Sequence, residues 1–74
     1  MNNVDKKLLK YIPVKLRPYC VWLDAEKDYY DKRKHTYYAI FEKDGKEYNS
    51  EYVDSISELI WNCKQVLKEM EENK

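Results

Sequence analysis

The sequence predicts an α+β fold: a three-stranded antiparallel meander with a C-terminal helix packed on one face and a short N-terminal helix. Three observations carry that prediction. First, Ile56, Leu59, Ile60, Cys63, Val66, Leu67 and Met70 recur at helical spacing, which at about 100° per residue makes an apolar stripe roughly 120° wide, enough to lie along a sheet. Second, two alternating runs flank Asp44-Gly45, and Gly45 is the only glycine in the chain. Asp-Gly between such runs is the strongest short hairpin signal, because a type I′ turn needs positive φ at both central positions. Third, Tyr19-Cys20-Val21-Trp22-Leu23 is an aromatic and β-branched run of strand length.

Each element can be read in order. Val4, Leu8, Tyr11 and Ile12 sit at the spacing of a short amphipathic helix over 4–12, with Asn3 as N-cap. Pro13 ends it, because the residue before a proline is pushed out of the helical region. Residues 14–18 are an extended connector, and the first strand spans 19–24. In a regular strand Tyr19, Val21 and Leu23 point one way and Cys20 and Trp22 the other. Periodicity allows two readings of 25–34: a long charged loop, or an extension of the first strand to Tyr30. The hairpin comprises 35–43 and 46–53. A two-residue turn sets Phe41 against Tyr48, Ala39 against Ser50 and Tyr37 against Tyr52 on one face. The other face carries Tyr38, Ile40 and Val53 among Thr36, Glu42, Glu47, Asn49 and Glu51. Ser55-Ile56-Ser57-Glu58 is a capping box that opens the helix over 55–71. Glu69, Glu71 and Glu72 oppose the dipole at its far end, so the last residues, to Asn73 and Lys74, are expected to fray.

The 74 residues are expected to form one domain, 1–74, with no internal repeat and no linker. A chain this short buries only about 60% of the surface its unfolded form exposes, and usually needs a disulfide set, a metal or a partner subunit. Two cysteines, Cys20 and Cys63, are too few for a disulfide framework, and with one histidine they cannot make a four-ligand zinc site. Self-association remains. The 14 basic and 14 acidic residues cancel to a net charge of zero, against a dedicated DNA binder. No apolar run is long enough for a membrane span or a signal peptide, so a cytoplasmic protein with reduced thiols is expected. Abundant Lys, Asn, Tyr and Ile point by association to an AT-rich bacterial or phage genome.

No catalytic set, cofactor motif or metal cluster is present in the sequence. Lys43-Asp44-Gly45-Lys46 is a turn, since a phosphate loop needs spaced glycines before its lysine. The chemistry-bearing residues are rings and cations. Eight of 74 residues are Tyr, a side chain with a large ring and a wet end that suits half-buried strands and interfaces. Trp61 lies off the apolar stripe, and either packs on the N-terminal helix or anchors an interface. The sheet as read exposes more apolar surface than one helix can cover, so a two-fold dimer with Trp22, Tyr38, Ile40 or Trp61 at its interface is expected. Lys32, Arg33, Lys34 and His35 lie between Tyr29, Tyr30, Tyr37 and Tyr38, a mixture of charge and stacking that single-stranded nucleic acid can use. Asp24, Glu26, Asp28 and Asp31 just before it favour a solvated loop of mixed charge.

Two segments, Tyr37 to Gly45 and Asp54 to Ile60, resemble the strand and helix of HicB-type antitoxins over about half the chain. The proline- and glycine-containing segment that marks that family between these pieces is absent here, as is its DNA-binding extension, so no residue roles carry over. Three functional readings emerge. The leading one is a small, non-enzymatic, homodimeric binding protein of a phage or mobile element, docking on a host or partner macromolecule, for example as an inhibitor of a defence or replication protein. The others are a single-stranded nucleic-acid module and, as the resemblance implies, toxin neutralisation.

Overall fold

The computed structural model describes residues 3–31 and 33–72. Strands β1 (Asn3–Val4), β2 (Cys20–Lys27), β3 (His35–Lys43) and β4 (Lys46–Asn49) form one sheet in that spatial order, with β1 parallel to β2 and the other pairs antiparallel. Helix α1 (Ile56–Glu72) packs on one face of this sheet. The α+β class is as expected, with four strands in place of three.

The hairpin follows the predicted register from Lys43↔Lys46 to Ile40↔Asn49. Asp44 and Gly45 both take positive φ, 52° and 77°, as a type I′ turn requires. Helix α1 starts with the expected capping box. The Glu58 amide donates to Ser55 Oγ (3.2 Å), while the Glu58 carboxylate accepts from Ser55 Oγ (3.3 Å) and from the Asp54 amide (3.2 Å). Leu59, Cys63, Val66 and Met70 are buried, together with Leu23, Ala39, Phe41, Tyr48 and Val53 of the sheet side. Ala39 offers no side chain beyond its methyl, so the helix can lie close to the sheet there. The helix is described as far as Glu72; Asn73 and Lys74, to which fraying was expected to extend, lie outside the described residues.

The N-terminal helix over 4–12 is not formed. Asn3 and Val4 pair with Trp22 and Leu23 as a parallel edge strand, and the Asp5 amide donates to the Leu23 carbonyl (2.8 Å). Two 3₁₀ segments come next, Leu9–Tyr11 and Val14–Tyr19, so Asn3 lies in a strand rather than at a cap. The physical reason is that nine residues cannot hold an α-helix unaided. The more extended 3₁₀ path, at about 2 Å per residue, reaches across the sheet and drops Ile12 and Leu16 fully into the core. Arg17 clamps this path: its guanidinium donates to the carbonyls of Ile12 (2.9 Å) and Lys10 (3.1 Å).

Two bulges change which side chains share a face. The β2–β3 register shifts between Cys20 and Trp22, so Cys20 joins Leu23 on the helix side, whereas an unbroken alternation set them on opposite faces. After β4 the chain again takes an extra residue. Tyr37 pairs with Val53 rather than Tyr52: the Tyr37 amide donates to the Val53 carbonyl (2.8 Å) and the Val53 amide returns a bond to Tyr37 (3.1 Å). Val53 is thereby turned into the core and Tyr52 out to the opposite face, the reverse of the expected arrangement. Strand β2 spans Cys20–Lys27 and so ends between the two readings, 24 and 30; of the residues that follow, the described ones, 28–31, 33 and 34, make the turn to β3.

Candidate functional site

The sheet face away from α1 gathers the aromatic residues singled out in the sequence. Trp22 of β2 pairs with Ile40 of β3, Ile40 pairs with Asn49 of β4, and Tyr38 lies two residues from Ile40 on the same side. All three apolar residues are half-buried with no described element of the fold laid over them. Tyr52, swung out by the second bulge, stacks on Tyr38 with ring centroids 4.2 Å apart and planes 6° from parallel. Asn49 donates from Nδ2 to Tyr38 Oη (3.0 Å) and fixes the far end of that ring. Tyr52 itself is 66% exposed.

The charges on this face are of one sign. Asp24 pairs with Tyr38, Glu26 with Thr36, and Glu42 stands directly opposite Glu47. Among the described residues, no Lys or Arg occupies an outward position of β2, β3 or β4. The ion pairs among them are Lys15–Glu71 (3.9 Å) and Arg33–Asp31 (3.3 Å), and neither involves these four carboxylates. The zero net charge of the chain therefore conceals a segregated surface.

Tyr52 also marks the start of a groove of about 430 Å³ between the second bulge and the first turns of α1. Its walls include Glu51, Asp54, Glu58 and Trp61, and again no cation among the described residues. Asn62 builds the groove wall. Its Oδ1 accepts from the Glu51 amide (3.1 Å) and its Nδ2 donates to the Glu58 carbonyl (3.3 Å), tying the bulge to the helix. Trp61 is 62% exposed beside Tyr52 and away from the N-terminal segment, which instead borders Ile60, Lys64 and Leu67. On the far side of Asp54, a second cavity is lined by Asp28, Lys34, His35 and Thr36.

Tyr29, Tyr30, Arg33 and Lys34 are brought together in the β2–β3 loop, at one end of the sheet and apart from Trp22 and Ile40; Lys32 lies outside the described residues. Tyr29 and Tyr30 are 88% and 92% exposed and meet edge to face at 5.1 Å. The carboxylates hold the loop. Asp28 accepts from the amides of Tyr30 (2.8 Å) and Asp31 (3.1 Å), and these bonds, the Tyr30 amide foremost, hold its carboxyl below the ordinary value. Asp31 takes both the amide and Nε of Arg33, so that guanidinium is already paired.

Both cysteines are free and buried. Burial pushes the Cys20 thiol up, and burial with the neighbouring Cys20 pushes Cys63 to about 12, so neither is a ready nucleophile. Among the described residues no group of His, Cys, Asp and Glu could hold a metal ion, and no helix is long and apolar enough to cross a membrane.

Sequence reasoning finds Trp22, Tyr38, Ile40 and Trp61 but misses Tyr52, whose side is decided by the bulge. It places Glu42 and Glu47 on the outer face but misses that they stand directly opposed and that Asp24 and Glu26 extend the same acidic face, the latter because it depends on how β2 docks on β3. No family model, curated protein or solved structure matches the chain. The likeness to antitoxins therefore rests on two short segments alone.

Proposed function

We propose that this chain is a small, non-enzymatic docking protein that acts by binding another macromolecule through its uncovered aromatic sheet face. The observation that carries the reading is the cluster of Trp22, Ile40, Tyr38 and Tyr52 on the side that α1 does not cover. Rings of this kind, ordered by stacking and by a side-chain hydrogen bond, offer a large contact area at little further entropic cost. Self-association belongs to the same reading, through Trp61: a two-fold pairing of helix surfaces around this exposed ring would cover it. A reducing, cytoplasmic setting and an origin in a phage or mobile element, with inhibition of a host defence or replication protein as the role, complete the proposal.

The test is affinity capture from cells that carry the gene, with the parent chain and with Ile40→Asp. A partner retained by the parent and lost by a folded Ile40→Asp variant is the expected result. A partner held equally by both puts the docking surface elsewhere. Inspection of the neighbouring genes tests the mobile-element origin.

A second reading, binding of single-stranded nucleic acid, is favoured by one observation, the exposed Tyr29–Tyr30 pair beside Lys34. The pairing of Arg33 with Asp31 and the acidic sheet face weigh against it. Salt-sensitive binding of a single-stranded oligonucleotide, abolished by Tyr29→Ala with Tyr30→Ala, would move this reading to first place.

A further inference from the structure

We infer that the partner presents a basic, arginine-bearing protein segment to the sheet face and the adjoining groove. The inference rests on the docking reading above and specifies the chemistry of the partner.

The first support is charge. Asp24, Glu26, Glu42 and Glu47 surround the rings on the sheet, and Glu51 and Asp54 continue the same sign along the groove. A surface of one sign attracts the opposite sign and repels its own, which sets specificity and encounter rate. Nucleic acid is turned away. A second copy laid face to face is turned away as well, because each carboxylate would meet its counterpart across the dyad.

The second support is local frustration. Glu42 and Glu47 are directly opposed cross-strand neighbours, an arrangement that destabilises a sheet. A cation from a partner placed between them turns that cost into attraction. The third support is shape. Tyr52 is 66% exposed beside the carboxylates of Glu51 and Asp54. A guanidinium stacks flat on such a ring while its edge donates to a carboxylate, whereas an ammonium cannot do both in one plane. Arginine is therefore preferred over lysine.

The experiment is a tryptophan-fluorescence titration of the full chain with an oligo-arginine peptide, an oligo-lysine peptide of equal length and a single-stranded oligonucleotide. Oligo-arginine is expected to bind more tightly than oligo-lysine, and the oligonucleotide not to bind. The double variant Glu42→Gln with Glu47→Gln should weaken oligo-arginine binding about fivefold to tenfold. This variant relieves a like-charge pair, so it should fold at least as well as the parent. A control that removes the same charge elsewhere, Glu69→Gln with Glu71→Gln, should leave the affinity within about twofold, since charges on other surfaces are screened. Tyr52→Ala should erase the preference for arginine. Equal weakening by the control, equal affinity for both peptides, or tighter binding of the oligonucleotide overturns the inference. If these fail while partner capture still depends on Ile40, the basic partner is wrong and the docking reading stands.

Discussion

Ser50 and Ala39 are joined twice across the sheet: the Ser50 amide donates to the Ala39 carbonyl (2.9 Å), and Ser50 Oγ accepts from the Ala39 amide (2.9 Å). A side-chain oxygen thus replaces the carbonyl that a regular ladder would supply. Its hydroxyl hydrogen goes on to the Glu51 carbonyl (3.1 Å). The backbone carbonyl is released from the ladder, the chain takes in an extra residue, and Tyr52 emerges on the outer face. The aromatic stack therefore depends on a buried serine.

Ser50→Ala should cost about 1–3 kcal/mol, because it strands the buried Ala39 amide without an acceptor. It should also lower the denaturant midpoint and loosen the Tyr38–Tyr52 stack. An unchanged midpoint would mean that the bulge is held by Val53 and the Asn62 bond alone.

Gly45→Val tests the hairpin. Nothing lies within 4 Å of a Cβ placed at Gly45, so any penalty comes from the backbone at φ +77° and not from a clash. A left-handed conformation costs an ordinary residue roughly 1–2 kcal/mol, and a β-branched one is the worst suited to it. Gly45→Asn should be clearly milder. Equal midpoints for both variants in urea would show that the turn relaxes to another type.

Ser55→Ala should cost on the order of 1 kcal/mol, since it removes the oxygen that accepts from the Glu58 amide. The loss should appear as a lower thermal midpoint with the helical signal at low temperature nearly intact. No change would mean that the Glu58 carboxylate on the Asp54 amide holds the helix start by itself.

Cys63 makes stability sensitive to alkali. Its thiol is pushed from 9.0 to about 12 by burial and by Cys20, so the folded chain holds this proton more tightly than the unfolded chain does. The stability this contributes is complete below pH 9.0 and is lost as pH rises towards about 12. Urea midpoints should fall across that window, and less steeply in Cys63→Ala, whatever that variant's starting stability. Parallel slopes would show that the Cys63 thiol does not account for the loss.

Trp61→Ala bears on self-association. Light scattering at micromolar concentration should give a dimer mass for the parent and a monomer mass for the variant. A monomeric parent, with the Trp61 ring open to a quencher as it is in the single chain, would rule out the dimer.

The features legible in the sequence are the local ones. The hairpin, its two-residue turn, the capping box and the buried stripe of α1 are set by neighbours in sequence, and period and turn chemistry reveal them. Val4, Leu8 and Tyr11 have helical spacing too. Val4, however, is claimed by a strand pairing to Leu23, and Pro13 and Pro18 break up the segment after it; no local pattern announces that competition. The bulges at Val21 and at 51–52 break a period of two that the sequence alone leaves intact. Hence Trp22, Tyr38 and Ile40 read onto the correct face, while Tyr52 reads onto the wrong one. The segregation of charge is hidden for a related reason: the cations of 6–17 and the carboxylates of the sheet cancel in any total, and separate only when the chain is folded.

The central claim is that the face bearing Trp22, Tyr38, Ile40 and Tyr52 docks an arginine-bearing partner. Amide and indole chemical shifts, recorded by NMR while an oligo-arginine peptide is added, test it most directly. The largest shifts are expected on the Trp22 indole and on the amides of Tyr38, Ile40, Asn49 and Tyr52, with the 28–34 loop nearly still. Shifts concentrated on Tyr29, Tyr30 and the loop, with the Trp22 indole unmoved, would contradict it.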